Sequence, residues 1–226
     1  MRIRLRSTGA VMFEDELRAY MRANNGPSWD RTTPEVLEAL GADVVFPAPQ
    51  PAFDPVIRVA REIAPQQTAN GNWEQRWEVV PRFTQYADEQ GVVHTVAEQE
   101  AAAIAADRAQ RIAQHAERIK VERDRRTQEG GYSAGGKWFH SDVISRTQQI
   151  GLILMGESMP PSIQWKTMDG SFVTMTPALA QQIFQAAGVQ DTQTFAAAQT
   201  AIAAATADPY NFNHATIAWP AIFVKS

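Results

Sequence analysis

The chain has 226 residues, with 21 basic against 25 acidic side chains and no cysteine. The missing cysteine excludes a disulfide framework, a cysteine zinc site, an iron–sulfur cluster and a thiol nucleophile. A formal net charge of -4 leaves no basic footprint for nucleic acid, and no apolar run reaches the ~20 residues that a membrane-spanning helix needs.

Charge usage changes twice along the chain. Residues 1–90 hold 10 basic and 13 acidic residues and most of the prolines. Residues 91–128 hold 7 and 6, with many alanines and no proline, and residues 129–226 hold only 4 and 6. Three compositions predict an α+β protein in three parts: a small α+β module over 1–90, a linker helix over 91–130, and a mainly helical module with one β-hairpin over 131–226.

Ile3 and Leu5 alternate with Arg2, Arg4 and Arg6, the period of a half-buried strand and not the continuous apolar stretch of a signal peptide. Glu14 to Ala23 reads as a short helix, stopped by Asn24-Asn25-Gly26-Pro27. Thr33-Pro34 is a cap followed by proline at the first helical position, and that helix ends at Gly41. Val44 to Phe46 is a short strand. Pro47, Pro49, Pro51 and Pro55 then favour extended chain. Ile57–Ile63 and Trp73–Val80 read as a hairpin through Asn70-Gly71, with Trp73 and Trp77 on one face.

A helix is expected from Val96 to Arg126, with acid in its first turns and base in its last. Ala102, Ala109 and Ala116 alternate in heptad spacing with Ala105, Ile112 and Ile119, a thin seam suited to a weak coiled coil. A solvated helix held by pairs such as Asp107–Arg111, or a helix packed on its own domain, fits the same residues. The Gly130-Gly131 and Gly135-Gly136 pairs predict a flexible hinge.

Beyond it, Asp142 caps a helix whose apolar residues are Val143, Ile144, Ile150, Leu154 and Met155. Asp169-Gly170 between two apolar runs signals a hairpin. Thr176-Pro177 opens a helix that Gly188 is expected to end, and Asp191 opens another, stopped at Asp208-Pro209. Trp219, Ile222 and Phe223 lie in an irregular tail that can cover the small core.

No Walker loop, HExxH, GxSxG or EF-hand pattern occurs. His115 lies on a charged helix face and reads as solvated. His140-Ser141-Asp142 does not make a triad by adjacency alone, because a base must reach its nucleophile in space. The reading is a chain that is not an enzyme and takes no cofactor and no metal. Tryptophans anchor cores and interfaces alike, and Trp29, Trp73, Trp77 and Trp219 are the candidate partner contacts.

The third part carries Trp138-Phe139, then Ser145-Arg146-Thr147-Gln148, then Trp165-Lys166-Thr167-Met168-Asp169-Gly170, then Thr176-Pro177. In that order these resemble a C-terminal domain of tailed-bacteriophage tail proteins, itself a domain of unknown function. The first part resembles, less closely, an N-terminal module of phage tail proteins. The shared features are Leu17-Arg18 with Asn24, the segment Gly41–Val45, the proline run and Gly71-Asn72-Trp73-Glu74-Gln75-Arg76-Trp77. A Ser-Phe-Pro turn of that module is replaced here by Pro27-Ser28-Trp29-Asp30. The resemblance implies a structural tail protein at the baseplate or tail fibre, attaching or adapting a fibre. It implies other tail or fibre proteins as partners, a homo-oligomer with a trimer favoured, and a place in the virion tail after synthesis in the host cytoplasm. A tail-fibre assembly chaperone is the alternative. Neither nucleic acid nor membrane insertion is expected.

Overall fold

The computed structural model describes residues 1–225 and is α+β. It forms two compact units, Met1–Ile104 and the chain from Ala105 onward. The division falls inside the long helix, because its first turns are tied to one unit and its later turns to the other. Among the described residues no helix is long and apolar enough to cross a membrane.

In the first unit, β1 (Arg2–Leu5) pairs antiparallel with β2 (Val11–Phe13), a short strand that the sequence reading misses. Helix α1 (Glu14–Ala23) follows directly, and the Glu16 carboxylate accepts the Phe13 N–H at 2.6 Å. Helix α2 (Pro34–Ala39) starts where Thr33 accepts the Val36 N–H, as its cap-proline pair predicts. Strand β3 (Ala42–Phe46), a β4 strand (Arg58–Gln67) and β5 (Trp73–Pro81) complete a five-stranded mixed sheet in the order β2-β1-β3-β5-β4. β4 runs four residues beyond its expected end. Its register shifts between Ile63 and Gln66, across Pro65, which cannot donate to a ladder and is tolerated at a bulge on an edge strand.

One face of this sheet is the core. Ile3, Leu5 and Ala42 pack with Leu17 of α1 and Leu37 of α2, all buried. On the strand-alternate face Arg2 pairs with Glu62, and Arg6 pairs with Glu38 at 2.6 Å and Asp43 at 2.8 Å. Arg2 of β1 and Arg6, just past its end, are therefore neutralised by acids of neighbouring elements. The small hairpin β6 (Tyr86–Ala87) and β7 (Val93–His94) leads into α3 (Val96–Glu129). Thr95 and Glu98 form a reciprocal capping box at the start of α3. Glu100 pairs with Arg58, which holds these first turns to the sheet.

The second unit contains the later turns of α3, β8 (Tyr132–Ala134), β9 (Lys137–Phe139), α4 (Val143–Met155), β10 (Gln164–Lys166), β11 (Phe172–Thr174) and α5 (Pro177–Ala207). β8 pairs with β9 and β10 with β11, the latter through the expected Asp169-Gly170 turn. Two readings are corrected here. The glycine segment 130–136 is no hinge: Gly130, Gly131, Tyr132 and Ala134 are buried, and Gly135-Gly136 is the tight turn of a hairpin with both φ angles positive. Gly188 does not end a helix either. α5 runs through it, since a mid-helix glycine costs only about 1 kcal/mol, and Asp191 serves as an ion-pair partner instead of a cap.

Candidate functional site

Arg146, on the inner side of α4, gathers partners from several elements of the second unit. Its guanidinium bonds both Asp191 oxygens of α5, at 2.7 and 3.1 Å. It also donates to the Thr127 carbonyl at the end of α3 at 2.6 Å and to the Ser141 carbonyl at 2.7 Å. Its plane lies 5.1 Å from the Tyr132 ring centroid. One planar cation thus joins three helices and a strand, which suits arginine's fixed fork and would not suit lysine. Gln149 is buried and donates to the His140 carbonyl. Asp142 accepts from the Ile144 and Ser145 N–H groups and from the Ser145 hydroxyl, so it is a helix cap. The Ser141 hydroxyl is buried and accepts the Gly131 N–H. The Ser141 and Asp142 side chains are thereby spent on backbone and cap contacts, and His140 contributes its carbonyl. At the hairpin, Lys137 and then Thr167 and Ser171 hold the Asp169 carboxyl well below the usual range.

Burial pushes the Tyr132 hydroxyl pKa up, with Asp191 adding to it. That hydroxyl is the one buried side-chain polar atom among the described residues with no hydrogen-bond partner. Removing an unsatisfied group of this kind costs nothing in hydrogen bonding. Tyr132→Phe is expected to leave the melting temperature unchanged or raise it. A clear fall in a thermal melt would contradict that.

The predicted seam divides. Ala102, Ala105 and Ala109 are exposed, Ile112 and Ala116 are half-buried, and Ile119 is fully buried. Ile119 packs against Ala198, Ala201 and Ala205 of α5. It is therefore committed to the core of its own unit, and the strongest apolar member of the heptad is not free for a partner helix. The four tryptophans have partners within the chain. Trp29 donates to Thr32 at 2.8 Å and lies under Arg18. Trp73 carries the Arg4 guanidinium 3.9 Å above its ring. Trp77 donates to the Ala48 carbonyl at 2.9 Å and pins the proline run. Trp219 packs in the Ile119 cluster with Arg126 5.1 Å from its ring centroid.

His115 is not solvated. Its Nε2 faces the Pro209 carbonyl at 3.0 Å, so that nitrogen carries the proton, and its Nδ1 accepts from His214 Nε2 at 2.9 Å. Burial, then Arg118 and His115, holds the His214 pKa below its ordinary value. The unfolded chain then binds a proton near pH 6.5 that the folded chain takes up only at lower pH. Stability from His214 is complete above that point and is lost as pH falls through the folded value. Thermal melts at pH 7 and pH 5 should show a smaller acid-induced drop in His214→Asn than in the native chain. Equal drops would contradict this.

The sequence misses one surface altogether. The apolar residues Val143, Ile144, Ile150, Leu154 and Met155 are exposed, Ile150 and Leu154 against the expectation that they pack, and α4 buries Gln149 and Leu152 instead. The signal is present in the composition: across Val143–Met155 the only ionisable residue is Arg146.

Residues 109–218 match the family described as Domain of unknown function (DUF4376). The match covers the later part of α3, both hairpins of the second unit, and α4 and α5. No curated protein and no solved structure matches the chain.

Proposed function

We propose that this chain is a structural bacteriophage tail protein, placed at the baseplate or tail fibre, where it attaches or adapts a fibre. What supports this reading is the resemblance of the second unit's residue pattern to a domain of tail proteins. The members of the pattern are not scattered matches. Trp138-Phe139, Arg146, Trp165-Lys166, Asp169-Gly170 and Thr176-Pro177 supply a strand, a helix anchor, a hairpin and a helix cap of one compact unit. The family match over 109–218 covers the same elements. A second unit with its own core lets the chain hold a different neighbour at each end.

In this reading the first unit docks to one virion component and the second meets a fibre or another copy of the chain. The protein is made in the host cytoplasm and ends in the tail of the virion. Deleting its gene is expected to leave particles with tails that carry few or no fibres, counted by negative-stain electron microscopy. Particles with a normal complement of fibres would contradict the reading.

A further inference from the structure

Helix α4 is apolar on two sides. Leu152 is buried inward, while the other side carries Val143, Ile144, Thr147, Ile150, Gly151, Leu154 and Met155. At 3.6 residues per turn these seven fall within an arc of about 140°. Leu154 is 82% exposed, Ile144 72% and Val143 71%. The helix's only charge, Arg146, is turned inward onto Asp191. A helix apolar all round is ordinarily a covered one. Beside this ridge runs a groove of about 670 Å³ whose walls include Gly151, Met155, Trp165 and Phe172.

We propose that this face of α4 and its groove are the contact with a second copy of the chain. Ridge and groove lie side by side on one surface, so a two-fold axis sets the ridge of each copy into the groove of the other. The ridge carries no charge. It offers nothing for electrostatic steering of an unlike partner, and nothing in it repels its own copy. The area also fits. At about 100 Å² per aliphatic side chain, the exposed parts of Val143, Ile144, Ile150, Leu154, Met155 and Phe172 come to roughly 400 Å². Interfaces are a little over half apolar, so with a polar rim of Thr147, Gln148, Gln164 and Lys166 this implies roughly 700 Å² per copy. Stable interfaces of standard size bury roughly 600–1,000 Å² on each side. The pairing is separate from the tail reading and stands or falls without it.

Sedimentation velocity of the full chain tests the pairing, run from low to high micromolar concentration. The native chain is expected to sediment as a dimer. Leu154→Lys and Ile150→Lys should each weaken association at least tenfold with an unchanged thermal melt. Ala109→Lys, on the exposed part of the α3 seam, should remain dimeric. A monomer at every concentration, or a dimer that survives both α4 lysines, overturns the proposal. A second measurement does not depend on lysine at the interface. The chain has no cysteine, so a nitroxide on Thr147→Cys reports α4 alone. A short label-to-label distance between copies supports the pairing, and no dipolar coupling between copies overturns it.

Discussion

Gly131→Ala is expected to destabilise the second unit by about 3 kcal/mol. Two costs combine. Gly131 has φ +75°, where a side chain costs roughly 1–2 kcal/mol. An added Cβ would also run into Met168 Sδ and meet the Phe139 carbonyl oxygen at 2.9 Å. The methionine can shift, but the carbonyl belongs to the β9 backbone and cannot do so cheaply. Overpacking of this kind costs typically 1–3 kcal/mol. Urea unfolding followed by tryptophan fluorescence measures the loss. A variant within about 1 kcal/mol of the native chain would revive the flexible-hinge reading of residues 130–136.

Arg146→Ala should cost about as much, roughly 3 kcal/mol, by a different route. It leaves the Asp191 carboxylate without its bidentate partner and the Thr127 and Ser141 carbonyls without a donor. Breaking a fully buried pair costs about 3–5 kcal/mol. Here the two side chains are 32% and 27% exposed, which lowers the electrostatic part. Arg146→Lys should recover less than half of the loss, because an ammonium cannot span both oxygens and two carbonyls together. A double-mutant cycle with Asp191→Ala isolates the pair. An Arg146→Lys variant as stable as the native chain would remove the guanidinium from the framework of the unit.

The local rules carried most of the fold. Thr33-Pro34 and Thr176-Pro177 opened helices, Asp142 capped one, and Asp169-Gly170 turned a hairpin, because each acts through backbone atoms within a few residues. What escaped depends on distant partners. Gly130 to Gly136 read as loose chain until Met168 and Phe139 closed around Gly131. Gly188 read as a stop because the pairing that recruits Asp191, forty-five residues from Arg146, is invisible along the chain. Ile119 fitted a heptad, and the alanine face that buries it lies at Ala198 to Ala205. The face of α4 was misassigned for a plainer reason. Apolar residues surround that helix, so periodicity alone does not choose an inside. The fixed choice comes from Arg146, Gln149 and Leu152, the residues that found partners.

The central claim is that the chain is a part of the virion tail. Quantitative mass spectrometry of purified particles, scaled to the tail-fibre protein, tests it most directly. The account predicts the chain in a fixed small-integer ratio to the fibre. Its absence, or a level far below that of the fibre, would contradict a structural role and point to a chaperone that leaves before the particle is complete.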